Sequence, residues 1–209
     1  IRRNKMANPL YGQNKFDNSA DFIVGDDNDA YIKRNVISMG ATTAETDLTV
    51  AQTGSLVNLN STASQIQVIN LPTIKAAGVG TWYEFVVTVA GNSGSAGSYT
   101  INTGGHATDP DSATKGYDDI IGVVSIVDTS LPAMPADDAS NAIPAAGEGT
   151  MVLAANTSNA VIAIGSHFRM TALIASPIGT ASGNVWHIDG TLCTSQATGF
   201  VTGALFTAP

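Results

Sequence analysis

The feature that most constrains this chain is a series of short apolar–polar alternations, with no long stretch of helical period. Residues 64–71 alternate polar and apolar side chains until Pro72, and residues 82–89 place Tyr83 and Phe85 on one face. Successive side chains of a β-strand point to opposite faces, so a period of two is typical of strands. About eight to ten such segments are separated by Gly, Asn and Ser turns. The pattern predicts an all-β fold: a sandwich, a jelly roll or a barrel.

Three segments carry more specific predictions. Ile120–Val127 is apolar at almost every position, which is typical of a strand buried on both faces. Strands at 82–89 and 98–103 flank a Gly/Ser loop and are predicted to form a hairpin. A second hairpin is predicted from residues 150–155 and 160–165.

Charge divides the chain near residue 35. Only 12% of the residues are charged, and residues 1–34 hold six of the nine basic side chains beside five acidic ones. The rest of the chain has three basic and twelve acidic side chains. We therefore predict an extended N-terminal arm at 1–35 and a β-rich body at 36–209. Residues 131–149 concentrate Pro and Gly, which indicates a long surface connection or a boundary between two sub-domains.

Several classes of partner are excluded by composition. A sequence pI near 4.5 means that the body should repel nucleic acid. No apolar run is long enough for a membrane span, and no apolar core follows Arg2 and Arg3 as in a secretory signal. Cys193 is alone, so a disulfide framework is excluded and folding in a reducing cytoplasm is expected. We expect neither a nucleic-acid nor a membrane partner.

Sheets of this kind have edges, and an apolar, weakly charged edge has to be covered. Burial against copies of the same chain is the simplest cover. We therefore expect a homo-oligomer, with a trimer as the first guess.

Two acidic loops are candidates for a metal site. Asp109–Asp119 and Asp26–Asp29 could offer oxygen ligands to calcium, but both lack the glycine and the closing glutamate of the twelve-residue calcium loop. Solvated turn aspartates are the better interpretation, and we expect no metal and no cofactor. His106, His167 and His187 have no metal-ligand spacing, and each is expected at the surface or hydrogen-bonded in the core.

Catalysis finds little support in the residues. Gly91–Ser95 resembles a nucleophile elbow superficially, but its glycine falls one residue early and it joins two predicted strands. Cys193 has no neighbouring cation in the sequence to lower the pKa of its thiol. Trp82 and Trp186 could stack on a sugar ring, although packing in the core or a subunit interface is the favoured interpretation. We expect no enzyme.

Two stretches resemble a known group of proteins. Residues 6–17 (MANPLYGQNKFD) resemble the N-terminus of virion structural proteins of marine tailed phages, especially those that infect cyanobacteria. Residues 71–87 and 99–101 resemble the β-rich head-decoration and knob-like proteins of such phages, and residues 186–194 suit the same group. The likeness covers part of the chain only and brings no catalytic residues with it.

The resemblance implies a virion protein on the capsid surface that decorates and stabilises the shell, with the major capsid protein as its partner. The arm would supply the contacts. The basic residues expected to make these contacts are Arg2, Arg3, Lys5, Lys33 and Arg34, and the apolar anchors are Leu10, Tyr11, Phe16, Phe22 and Ile23. Two alternatives remain open: a head–tail neck or tail-fibre component, and a surface carbohydrate-binding module.

Overall fold

The structure is a computed structural model. It describes residues 20–24, 30–39, 45–60, 66–74, 78–90, 99–104, 118–128, 140–145, 148–153, 162–174, 184–194 and 205–207. Among these residues the regular elements are β-strands and one 3-10 turn at Val50–Gln52. In chain order the strands are β1 (Ala20–Val24), β2 (Ala30–Arg34), β3 (Val36–Ser38), β4 (Thr46–Asp47), β5 (Leu56–Leu59), β6 (Gln67–Asn70), β7 (Trp82–Val87), β8 (Tyr99–Asn102), β9 (Asp119–Asp128), β10 (Ser140–Ala142), β11 (Thr150–Leu153), β12 (His167–Ile174), β13 (Asn184–Thr194) and β14 (Phe206–Thr207).

The body has two layers. One sheet has seven strands in the order β10-β9-β13-β12-β7-β5-β3, and the other has five in the order β14-β11-β8-β6-β4. Residues of both sheets contribute to a common hydrophobic core. The predicted all-β fold is confirmed, and the open edges of both sheets make it sandwich-like.

From β3 to β9 the chain crosses from one sheet to the other at every step. Strands β3, β5 and β7 are therefore neighbours in one layer and run parallel, as do β4, β6 and β8 in the other layer. A chain that changes layer each time returns to a sheet in its original direction, which is why these neighbours are parallel. Jelly rolls are antiparallel, so this part of the body departs from that alternative.

Both predicted hairpins are wrong. Strand β7 lies in the seven-stranded sheet and β8 lies in the five-stranded sheet, so these two strands do not pair with each other. Strand β11 pairs with β8 and β14, while Ile162 forms an isolated bridge with Thr194. A turn signal in the sequence marks where a strand ends, but it does not decide whether the next strand pairs beside it or crosses over.

The suggested division into two sub-domains near 131–149 is not found among the described residues. The seven-stranded sheet places β12 between β7 and β13, and the five-stranded sheet places β11 beside β8. Strands from before and after that segment thus share both sheets and one core.

Aromatic side chains fill the centre of the sandwich. Phe85 and Phe168 are fully buried and stack with ring centroids 4.8 Å apart. Tyr83 and Trp186 are also fully buried, with centroids 6.1 Å apart. The Tyr83 hydroxyl donates a hydrogen bond of 2.8 Å to the carbonyl oxygen of Thr49, which satisfies its polar atom inside the core.

A polar ladder crosses the five-stranded sheet. The side-chain amide of Asn70 donates to the Asp47 carboxylate at 2.8 Å, and that of Asn102 donates to Asn70 at 3.0 Å. The Thr150 hydroxyl donates to Asn102 at 3.2 Å. These four residues are register partners on adjacent strands, so the ladder ties β4, β6, β8 and β11 together.

Two glycines allow strands of the seven-stranded sheet to approach closely. Gly122 has φ +122°, and a Cβ atom there would lie 2.1 Å from the carbonyl oxygen of Ile188 on β13. At Gly190 a Cβ atom would lie 2.4 Å from the carbonyl oxygen of His167 and from the Cα atom of Phe168 on β12. Any side chain at these positions would push apart the strands that form the middle of the sheet.

Residues 20–34 include an antiparallel pair of strands, β1 and β2, that is separate from both body sheets. Phe22 is paired with Ile32 and Ile23 with Tyr31. The sequence predicted an extended arm here without regular pairing, so the structure adds this two-stranded element. Residues 1–19 of the arm lie outside the described residues.

Candidate functional surface on the seven-stranded sheet

The outer face of the seven-stranded sheet brings together charged residues from distant parts of the chain. The registers align Val123 on β9, Asp189 on β13, Arg169 on β12 and Glu84 on β7. Because side chains alternate between faces, these residues point away from the core that holds Phe85 and Phe168. The Arg34 side chain reaches Glu84 from the end of β2. We call the series Asp189, Arg169, Glu84 and Arg34 the charge row; its signs alternate.

Glu84 is the centre of an ion-pair network. Its carboxylate contacts the Arg34 guanidinium and lies 2.5 Å from Nε2 of His167. Partial burial raises the pKa of Glu84, but the hydrogen bonds and charges of His167 and Arg34 outweigh burial, so the net pKa lies below its usual value. The carboxylate therefore stays ionised on this face.

Arg34 ties the N-terminal two-stranded element to the body. Its Nε donates to the carbonyl oxygen of Gly54 at 3.1 Å, while its terminal nitrogen pairs with Glu84. The next residue, Asn35, donates from its side chain to the Ser55 hydroxyl at 3.2 Å and accepts a backbone hydrogen bond from Leu56 at 2.9 Å. The sequence assigned Arg34 to capsid contacts, whereas in the structure its side chain is engaged by the body.

Trp82 lies beside the charge row. The guanidinium carbons of Arg34 and Arg169 lie 5.1 Å and 6.0 Å from its ring centroid, within cation–π range. Both arginines also hold carboxylates, since Arg169 pairs with Asp189 at 3.2 Å. Two guanidinium groups thus lie near the Trp82 ring, in the space that a stacked sugar would need.

Trp186 cannot serve as a sugar platform. Its side chain is fully buried in the sandwich and packs near Tyr83. The alternation that puts His187 on the outer face of β13 puts its neighbour Trp186 in the core. The alternative of sugar stacking is therefore contradicted for Trp186, which packs in the core as the favoured interpretation had it.

An apolar patch lies at the β9–β10 side of the charge row. On β9, Ile120 and Val124 are buried, whereas Ile121 is 36% and Val123 43% exposed. Ile143, directly after β10, is 70% exposed. The prediction that this strand is buried on both faces is therefore wrong within a single chain. Ile121 and Val123 are exposed on its outer face, and Ile143, which follows β10, is exposed as well. We call these three residues the β9 patch.

The remaining arm residues are placed as follows. Phe22 and Ile23 lie in β1, and Lys33 lies in β2 next to Arg34. Outside the described residues are Arg2, Arg3, Lys5, Leu10, Tyr11 and Phe16. The structure thus groups four of the ten predicted contact residues in one two-stranded element.

The acidic loops do not assemble a metal site among the described residues. No group of three or more His, Cys, Asp or Glu side chains in that part of the chain is placed to hold a metal ion. Most of the loop Asp109–Asp119 and all of Asp26–Asp29 lie outside the described residues. Asp118 is described, and it is buried rather than solvated as a turn aspartate would be.

Asp118 is buried and hydrogen-bonded to two other segments of the chain. Its carboxylate accepts a hydrogen bond of 2.9 Å from the backbone amide of Ile74, and its carbonyl oxygen accepts one from the Thr103 hydroxyl. Burial raises the pKa of Asp118, and the hydrogen bond from Ile74 together with the nearby Trp186 indole offsets only part of that effect. Nothing in the sequence distinguished this carboxylate from the exposed ones near it.

The histidines and the cysteine do not form a common site. His167 is exposed and bonded to Glu84, while His187 lies half-buried on β13. Cys193 is a free, partly buried thiol, and its backbone amide donates to the Ser166 hydroxyl at 2.8 Å. His106 lies outside the described residues.

In the part of the chain that the structure describes, no helix is long and apolar enough to cross a membrane. Comparison with protein-family models, with curated proteins and with solved structures found no match to this chain.

Sequence reasoning missed the charge row completely. Its four members are separated by up to 155 positions and belong to four different strands, so no local pattern links them. The available signal was that Glu84 and Arg169 are each the charged residue of a strongly strand-like, otherwise mainly apolar segment. That signal marks an outward-facing charge but does not identify its partner.

Proposed function

We propose that this chain is a non-catalytic structural protein of a virion, which decorates the capsid exterior and stabilises the shell. One observation supports the proposal beyond the sequence resemblance. The N-terminal strands β1 and β2 form a sheet of their own, joined to a two-layer body through Arg34 and Asn35. An attachment element that is not part of the two body sheets is suited to binding the capsid lattice while the body keeps its own fold.

The residues of this element suit a protein–protein contact. Strand β1 has the sequence Ala-Asp-Phe-Ile-Val and β2 has Ala-Tyr-Ile-Lys-Arg, so the two strands combine apolar and charged residues. Interfaces combine apolar and aromatic anchors with a charged rim. Residues 1–19 add four basic side chains and one acidic side chain, which favours an acidic surface on the capsid protein.

Stabilisation of the shell would follow from mass action. A protein that binds the assembled lattice more tightly than the separate subunits shifts the equilibrium towards the lattice. The partner in this proposal is the major capsid protein, and the location is the capsid surface after folding in the host cytoplasm.

The first test is the copy number of the chain in purified virions, by quantitative mass spectrometry against the major capsid protein. A simple integral ratio to the capsid protein supports decoration. A few copies per particle would instead support a neck or tail-fibre component, and absence from virions would overturn the proposal.

The second test is truncation at positions that the structure selects. Removal of residues 1–33 deletes β1 and most of β2 but keeps Arg34 and Asn35, which bond to the body. This variant should keep the melting temperature of the body and lose binding to capsids that lack the protein. A control that lacks only residues 1–19 separates the paired strands from the segment before them. Unchanged capsid binding by the longer truncation would exclude attachment through the arm.

The carbohydrate-binding alternative now depends on Trp82 alone, since Trp186 is buried. Glycan-array binding that disappears in Trp82→Ala would favour it. The two arginines around the Trp82 ring argue against it.

A further inference from the structure

We propose that the outer face of the seven-stranded sheet is a self-association surface that packs against the same face of a second copy of this chain. The inference does not depend on the virion role. It starts from the β9 patch, because Ile121, Val123 and Ile143 remain exposed beside a strand whose other face packs into the core. Apolar side chains grouped on one face of a sheet are typical of an interaction surface.

Among the described residues, β10 covers only part of the β9 edge, and the Ile120 amide donates to the Glu148 carbonyl oxygen at 2.8 Å at the start of the strand. Strand β9 has ten residues, whereas β10 pairs with only three of them, Val124 to Ile126. The exposed residues Ile121 and Val123 precede this paired segment. Ile121 and Val123 therefore present exposed side chains on the outer face of this strand, and a facing sheet would cover these side chains.

Net charge favours a second copy as the partner. The chain carries a formal charge of −8, so two copies repel each other through most of their surfaces. On this face the charge row is balanced, because Arg34 and Arg169 offset Glu84 and Asp189. Asp119 adds one acidic side chain to the same face of β9, so the face is close to neutral, and two acidic chains can approach there at a lower electrostatic cost than elsewhere.

The order of charges makes the row complementary to itself. Its signs from the β13 side are negative, positive, negative and positive, for Asp189, Arg169, Glu84 and Arg34. Read from the other end, the signs are reversed. A two-fold axis across the middle of the row therefore sets Asp189 of one copy opposite Arg34 of the other, and Arg169 opposite Glu84. An isologous dimer requires this kind of self-complementarity.

The apolar ends of the row match in the same arrangement. Val123 lies at the β9 end, and Val36, which is 53% exposed, lies on β3 at the opposite edge of the sheet. The two-fold axis brings the β9 end of one copy over the β3 end of the other. Both ends of the interface then become apolar contacts around a charged centre.

The size of the face is sufficient. Seven strands spaced about 4.8 Å apart, with central strands roughly 26 Å long and shorter outer strands, give on the order of 600 Å² per copy. Two copies would bury about 1,200 Å², near the lower end of the standard range for specific interfaces. We therefore expect a dimer of moderate affinity, in place of the trimer that was the first guess from the sequence.

The test is a matched pair of substitutions in the full chain. Val123→Lys places a charge in the β9 patch, and Val79→Lys places the same charge at a turn where the valine is 60% exposed. Sedimentation velocity over a range of about 1 to 100 µM should show a wild-type dimer. Val123→Lys should raise the dimer Kd at least tenfold, and Val79→Lys should leave it within about twofold of the wild type.

A second pair protects the test against a folding defect. Ile143→Lys acts in the patch at a residue outside any strand, and Ile164→Lys is its control in a turn, where the isoleucine is 63% exposed. Circular dichroism checks that each variant is folded. A monomeric wild type would overturn the proposal, and so would a trimer or any assembly that both patch variants leave intact. If residues 1–19 of the same chain covered the β9 patch, the wild type would be a monomer, and the proposal would be overturned.

Discussion

Replacement of Gly122 by alanine should open the centre of the seven-stranded sheet. Gly122 pairs with Ile188, and its φ of +122° is a conformation that side chains disfavour. The new Cβ atom would lie 2.1 Å from the Ile188 carbonyl oxygen, and this neighbour is backbone rather than a flexible side chain. The alanine can be accommodated only if β9 and β13 separate or if Gly122 changes its backbone angles.

The expected cost has two parts. A residue with a Cβ atom in a left-handed conformation costs about 1–2 kcal/mol. Overpacking against a neighbouring strand adds roughly 1–3 kcal/mol. At about 2–4 °C per kcal/mol for a chain of this size, Gly122→Ala should lower Tm by roughly 10 °C.

Gly165→Ala is the matched control. Gly165 has φ +93°, but a Cβ atom added there would have no heavy atom within 4 Å, so the variant bears the conformational cost without the collision. Its Tm should fall by roughly 4 °C, and the smaller unfolded-state entropy of alanine cancels between the two variants. Differential scanning calorimetry measures both. Equal Tm shifts for the two variants would refute the collision argument, and a Gly122→Ala protein as stable as the wild type would refute the register of β9 against β13.

Three further predictions concern ionisable groups, each measured by urea unfolding as a function of pH. Burial raises the pKa of Tyr83 above its ordinary 10.0, so the wild type should lose stability as the pH rises past that value. Tyr83→Phe should lack this loss. At neutral pH it should cost about 1 kcal/mol, because the hydrogen bond to the Thr49 carbonyl oxygen is removed. Burial also raises the pKa of Asp118 above 3.8. The contribution of Asp118 to the free energy of unfolding is therefore fully present below that pH and is lost as the pH rises through the pKa of the folded protein. Asp118→Asn should remove this loss, and a steeper pH dependence in the variant would contradict the prediction. Glu84 has a lowered pKa despite partial burial, because His167 and Arg34 favour its charged form. Its contribution to the free energy of unfolding is present above pH 4.5 and is lost as the pH falls through the pKa of the folded protein. Glu84→Gln should therefore make the free energy of unfolding less dependent on pH in the acid range.

Local pattern predicted the strands well where one face is buried. Tyr83, Phe85 and Val87 were expected on one face of a strand, and all three are fully buried in β7. The same argument failed for Ile120–Val127. Apolar residues on both faces of a strand indicate that both faces will be covered, but they do not indicate whether the same chain or another one supplies the cover. In one chain the second face stays exposed, and the structure gives the position of that face.

The candidate surface was much less predictable than the strands. The sequence grouped Arg34 with the basic arm, since it follows Lys33 at the point where the charge balance changes. In the structure its guanidinium contacts Glu84 and the Gly54 carbonyl of the body. An ion pair between residues 50 positions apart depends on which strands become neighbours, and that depends on long-range packing.

The amino-acid sequence by itself determined that the chain is all-β and where several strands run, because alternation of side chains is a local property of the extended backbone. Only the tertiary structure decided which strands share a sheet. It made β3, β5 and β7 parallel neighbours, replaced both expected hairpins, and aligned Asp189, Arg169 and Glu84 across three strands. The physical reason is that pairing is settled by burial of a common core, and many chain paths satisfy the same local pattern.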